Sequence, residues 1–271
     1  HGHSGASLPA RDRPLEWNFI YRTIMTEKDL RIIFLGRQSG QIVKQKLQKA
    51  GFAFADPESS QADLIVVGFY GEILSKKMLA IPKYGALNVH PSLLPKYRGP
   101  SPVQNVILNN ETKTGVTIIL MDEKVDHGPM IAVENFEIGG RKFTTPELTK
   151  ELWELGGDLL VKTIPKWIAG EIKPIPQNHE NATYTKILTK EDGHIDWAKS
   201  AEEIERQVRA FSPWPGSFTI WGNRQIKILT GQILNSTDKE YSAGQVLRYQ
   251  KDQLAVKAGT DIFIIDRLQL A

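Results

Sequence analysis

Three short apolar runs, residues 31–36, 62–68 and 85–90, set most of what this chain can become. Each is rich in aliphatic residues, too short for a typical helix, and stops at a glycine or a polar residue. Runs of this kind suit strands of a buried parallel sheet. Pro91 follows the third run directly, and proline cannot serve a central strand, so that strand ends at His90. Residues 41–50, closed by Gly51, and residues 76–80 read as the helices between the runs.

The same grammar continues. Residues 102–108 read as a helix with proline near its start, and residues 115–121 as a strand dense in β-branched side chains. Residues 130–138 read as an edge strand. Residues 145–169 carry Leu148, Leu152, Leu155, Leu159, Leu160 and Ile164 at helical spacing, with Thr145-Pro146 as an N-cap followed by proline at the first position. Strands alternating with helices predict an α/β fold built on an open, doubly wound, Rossmann-like and mainly parallel sheet. This first domain spans residues 25–170, and residues 1–24 read as an appended leader or extension outside it.

Residues 171–189 are polar and proline-containing, and predict a linker. From residue 190 to 271 there is one helix, over 200–210, followed by the short runs 217–220, 226–229, 244–248, 254–257 and 262–268. Closely spaced strands of this length predict a small C-terminal β-barrel, OB-like in type. None of the 271 residues is cysteine, which excludes disulfides, thiolate nucleophiles and zinc–thiolate sites. No apolar run reaches the ~18 residues that span a bilayer. The net charge of +3 permits an anionic partner without requiring one.

Side chains alternate along a strand, so Asn88 and His90 share one face at the carboxyl end, where open α/β sheets bind ligands. Asp126 follows the end of the 115–121 strand, and the fold can return it beside His90. An amide, an imidazole and a carboxylate suit one-carbon acyl transfer to an amine. Asn88 and a protonated His90 donate hydrogen bonds to the oxyanion, while Asp126 holds the imidazole and takes up the amine's proton, directly or through water. No covalent enzyme intermediate and no metal are required.

The wider context is specific. Asn88-Val89-His90 with Ser92-Leu93-Leu94-Pro95, Tyr97-Arg98-Gly99, Thr114-Gly115-Val116-Thr117 and Asp126-His127-Gly128 resembles the folate-dependent formyltransferases, above all those that act on initiator methionyl-tRNA. The resemblance runs from about residue 30 to 271 and includes Ile195-Asp196-Trp197 and the segment 209–216 of the second domain. It implies that Asn88, His90 and Asp126 are the catalytic trio and that 10-formyltetrahydrofolate is the co-substrate. It further implies folate contacts from Ser92, Leu93, Leu94 and Pro95, and a pterin pocket lined by Phe69, Tyr70, Gly71, Ile73 and Leu74. The tRNA is expected to meet Arg37, Lys96 and Arg98 and the C-terminal domain. A cytoplasmic monomer is expected, with no membrane partner.

Two departures from the family pattern stand out. After Gly36 the chain lacks roughly one βα unit, which leaves Arg37 as a remnant of a basic loop or a plain surface residue. His127 stands where many relatives carry threonine, and is expected to face solvent. Two other readings remain. Sugar-nucleotide formyltransferases share the trio, but Gln104 in the 99–104 segment favours the tRNA type. A non-catalytic RNA-binding protein would explain the basic charge but not the intact trio.

Overall fold

In the computed structural model, which describes residues 30–57, 61–236, 240–250 and 253–270, the first apolar run forms β1 (Ile32–Gly36). The segment 1–24 lies outside the described residues. A short turn leads from β1 directly into α1 (Gln41–Lys49), and β2 (Leu64–Gly68) then lies parallel to β1. After α2 (Lys76–Leu79), β3 (Ala86–His90) adds parallel to β2. The absence of a further unit after Gly36 thus leaves β1 at the edge of its sheet, met on its outer side by a single bridge from Phe54 to Ile32.

The remaining strands differ from the expected direction. After α3 (Pro102–Leu108), β4 (Lys113–Leu120) runs antiparallel to β3, and β5 (Met130–Glu137) antiparallel to β4. The sheet order is β1-β2-β3-β4-β5, and two of its four pairings are antiparallel, so it is mixed rather than mainly parallel. β-branched composition marks a strand but not its direction. The connection from β4 to β5 is too short for the crossover that a parallel pair demands. β5 lies at the edge, as its alternating pattern suggests.

Both faces of the sheet are covered, which explains the unbroken apolar runs. Phe34, Val66, Leu87 and Val89 pack with Val43 and Leu47 of α1 and with Leu148, Leu152 and Leu160 of α4 (Thr145–Ile168). Ile33, Leu35, Ile65, Val67 and Ala86 form a second cluster with Leu74 on the other face. The helix α4 is capped one residue earlier than its sequence suggests. Thr144 is the N-cap, in a box with Glu147, which puts Pro146 at the second helical position.

The second domain begins with α5 (Ala201–Ala210), capped by Ser200. Its strands are β6 (Ser217–Trp221), β7 (Arg224–Leu234), β8 (Val246–Gln250), β9 (Gln253–Lys257) and β10 (Ile262–Leu270). They form an antiparallel sheet in the order β6-β7-β10-β9-β8. Ile204 and Val208 pack against Ile226, Ile228, Phe263 and Ile265. The small β domain read from sequence is therefore present as an open sheet; among the described residues no pairing closes it into a barrel. Ala210 and Phe211, at the end of α5, belong to the core of the first domain, and Thr145 Oγ1 donates to Ala210 O at 2.6 Å.

Residues 171–189 do not hang as a free tether. Ile175 pairs with Met130 of β5, and Tyr184 with Arg98. Further bonds run from Tyr97 N to Thr183 Oγ1 at 2.8 Å and from Ser101 Oγ to Lys186 O at 2.9 Å. The segment is a strap laid across the loop that follows β3.

Gly156 of α4 lies where a Cβ would sit 2.6 Å from Val89 Cγ1 and 3.3 Å from Val116 Cγ1. Helix and sheet approach this closely only because the side chain is missing. Gly156→Val is expected to destabilise the fold by about 1–3 kcal/mol through overpacking against β3. Urea unfolding checks this, and an unchanged midpoint would contradict the packing described.

Candidate active site

Asn88 and His90 reach the carboxyl end of β3 on the face opposite Val89, as the two-residue period of a strand requires. Antiparallel β4 runs beside them, Ile119 opposite Asn88 and Thr117 opposite His90, and the loop after it returns Asp126. Asn88 Nδ2 donates to Asp126 Oδ1 at 3.2 Å. The other carboxylate oxygen accepts from Gly99 N at 2.7 Å and faces His90 Nδ1 at 3.5 Å. His90 is 4% exposed, and its Nε2 lies 2.9 Å from Tyr97 O. Both ring nitrogens thus face acceptors. In the imidazolium form, Nδ1–H would meet Asp126 across 3.5 Å, longer than a good hydrogen bond, and so could turn to an incoming oxygen.

Tyr97, Asp126 and Phe69 adopt left-handed backbone angles, with φ of +61°, +48° and +53°. Non-glycine residues enter this region at a cost, and they cluster at sites whose surroundings impose it. Tyr97 is held by its phenol, which donates to Glu111 Oε1 at 2.6 Å. Burial and that carboxylate push the phenol pKa up to about 12, so the donor stays protonated. Gly99, at φ +100°, passes so close to the strap that a Cβ would lie 2.7 Å from Thr185 O. Only glycine offers its amide to Asp126 from that position.

A cavity of ≈ 600 Å³ opens onto the trio. Of the residues read as pterin contacts, Phe69, Tyr70, Gly71, Ile73 and Leu74 all line it. Sequence reading missed Trp153 of α4, which meets Phe69 edge-on at 6.4 Å and walls the cavity. The volume and the aromatic and aliphatic wall fit a flat heterocycle, and Asn88 and His90 supply polar groups at one end. Arg37 stands at the mouth, ion-paired to Glu72 at 2.5 Å and 5.8 Å from the Tyr70 ring centre.

Other assignments move. Ser92, Leu93, Leu94 and Pro95 do not line the cavity. Ser92 is fully buried and donates to Lys96 O at 2.7 Å, while Leu94 N donates to Thr117 Oγ1 at 3.1 Å. These residues brace the loop that follows β3. Lys96 is exposed and turns to Glu111 at 3.6 Å. Arg98 is 1% exposed, which removes it from any surface contact with a macromolecule. Its guanidinium donates to Gln177 Oε1 at 2.6 Å, to His179 Nδ1 at 2.9 Å and to Tyr184 Oη at 3.1 Å. His127 does not face open solvent. It pairs with Asp122 at 2.6 Å and stacks on His179 with ring centres 4.1 Å apart.

Residues 34–164 match the family model described as "Formyl transferase", and residues 187–271 match "Formyl transferase, C-terminal domain". A methionyl-tRNA formyltransferase of Roseiflexus sp. (strain RS-1) is 42% identical over 219 residues, 81% of this chain and 67% of that protein. That of Alkaliphilus oremlandii is 44% identical over 214 residues, 79% of this chain and 68% of that protein. Among solved structures, HypX from Aquifex aeolicus in complex with tetrahydrofolic acid aligns with a TM-score of 0.70 at 18% identity, covering 89% of this chain and 44% of that one. A methionyl-tRNA formyltransferase from Clostridium thermocellum aligns at 0.61 and 16% identity, covering 89% and 99%. At such identities the structures attest the fold.

The surroundings of His179 make stability depend on pH. His179 accepts from Arg98, and burial together with His127, Arg98 and Lys124 lowers its pKa below the ordinary 6.5, against an opposing pull from Asp122. The unfolded chain therefore binds this proton more tightly than the folded one. Stability is complete above the unfolded value and declines as pH falls through it toward the folded value. His179→Gln keeps an acceptor for Arg98 and removes the titration. It is expected to flatten the decline in melting temperature between about pH 7.5 and 5.5. An identical decline in both proteins would contradict this.

Proposed function

The chain belongs to the formyl transferase family, and on that premise we propose that it transfers the formyl group of 10-formyltetrahydrofolate to the amino group of initiator methionyl-tRNA. The reading places it in translation initiation, in the cytoplasm, acting as a monomer. The convergence of Asn88, His90 and Asp126 at the end of a ligand-sized cavity carries the chemistry, and the names of the relatives carry the tRNA acceptor.

The mechanism follows from charge. Attack of the amine on the formyl carbon moves negative charge onto the formyl oxygen. The Nδ2 proton of Asn88 not given to Asp126 and the loosely held Nδ1 proton of His90 stabilise it, each such donor being worth ~2.7–4 kcal/mol in the transition state. Asp126, anchored by Gly99 N, keeps both donors aimed and accepts the proton that the amine releases. As the tetrahedral intermediate collapses, the bond from the formyl carbon to the carrier nitrogen breaks and that proton passes to the nitrogen, so the carrier leaves as a neutral amine. The cavity wall around Phe69, Ile73 and Trp153 seats the flat ring and keeps water from the formyl group.

Incubation with 10-formyltetrahydrofolate and methionyl-tRNA tests the reading. Formyl-methionyl-tRNA is expected, and a folded sample yielding none would overturn it. A nucleotide-sugar amine in a parallel reaction identifies the alternative acceptor. His90→Ala and Asp126→Asn are each expected to lower kcat by about 10²–10⁴-fold, with tRNA affinity changed by no more than about twofold. Comparable losses in kcat and in filter binding would contradict the assigned roles.

A further inference from the structure

Gln177 lies in the strap, some fifty residues from Asp126 in the chain, and no step above requires it. Its side chain is 4% exposed and fully used. The two Nε2 protons go to Asp126 O at 2.9 Å and to Gly128 O at 2.7 Å. Its Oε1 accepts from Arg98 Nε at 3.2 Å and Nη2 at 2.6 Å. We propose that Gln177 is a positioning residue for formyl transfer, clamping the Asp126–Gly128 turn and the Arg98–Gly99 loop onto each other. The proposal rests on the function assigned above.

The geometry gives the clamp its purpose. Asp126 sits at φ +48°, in the left-handed region that aspartate enters more readily than most side chains but still at some cost relative to ordinary backbone. Released, the turn can relax to an ordinary backbone geometry, and the carboxylate then swings away from Asn88 and His90. Gln177 opposes this on both sides. It holds Asp126's own carbonyl oxygen and that of Gly128 two residues on, and through Arg98 it holds the residue next to Gly99, whose amide orients that carboxylate.

The neighbouring chemistry singles out glutamine. Two carbonyl oxygens and one guanidinium converge on it, so the side chain must donate twice and accept at its other end. Glutamate would satisfy Arg98 but set a negative charge against two carbonyls, and asparagine is one methylene short. Among the described residues no ion pair neutralises Arg98, a buried cation that is costly to keep without one. Its partners Gln177, His179 and Tyr184 all belong to the strap, so its burial ties the strap to the loop.

Gln177→Met keeps the volume and removes both functions. It is expected to lower kcat by about 10–100-fold, since a displacement near 1 Å costs up to that much, and to change either KM by no more than about threefold. If the clamp acts through the carboxylate, the loss largely disappears in an Asp126→Asn background. Additive losses, or an unchanged kcat, would overturn the proposal. Should Gln177→Met fail to fold, Gln177→Glu retains the Arg98 contact and is expected to show the same pattern.

Amide exchange reads the clamp without reference to activity. Exchange at Gly99 is expected to quicken about tenfold or more in the variant, while Val66 and Leu87 in the sheet stay protected. Unchanged exchange at Gly99 would overturn the clamp. Wild type that makes no formyl product while Gly99 exchange quickens in the variant would overturn the assigned function instead.

Discussion

The site depends on one carboxylate held in a strained place. Asp126 takes an amide proton from Asn88 on one oxygen, a backbone proton from Gly99 on the other, and faces His90 across 3.5 Å. Two of these neighbours come from the end of β3 and one from the loop beyond it, all distant from Asp126 in the chain. A group so placed is stable only if its backbone is over-determined. The mixed sheet contributes by running β4 antiparallel alongside β3 so that the loop after β4 returns to Asn88, and the strap binds the same turn through Gln177.

The trio was legible in the sequence for simple reasons. A period of two puts Asn88 and His90 on one face, Pro91 fixes where the strand ends, and ligands gather at the carboxyl edge of such sheets. The pocket residues from Phe69 to Leu74 follow the same rule at the end of β2. Ser92 to Pro95 stand next to the trio in sequence but outside the cavity lining, with Ser92 fully buried. Another signal misled. Arg98, in the loop beside the trio, reads as a substrate contact because arginine is usually exposed. Here it is the largest fully buried side chain.

Gln177 and Trp153 were not legible at all, and for different reasons. Trp153 sits within the apolar face of a long helix, where one more large side chain looks like ordinary core. Gln177 lies in a polar, proline-bearing segment whose composition signals a tether. What makes that segment a strap is pairing with Arg98 and Met130, and pairing across such distances leaves no local pattern. The direction of β4 was hidden in the same way, since strand composition does not encode orientation.

The most direct measurement is a crystal structure of the protein with a stable formyl-folate bound. The account predicts the pterin ring against Phe69 and Trp153, and the formyl oxygen within ~3 Å of Asn88 Nδ2 and of His90 Nδ1. Folate seated outside this cavity, or in it with the formyl group turned away from Asp126, would contradict the account.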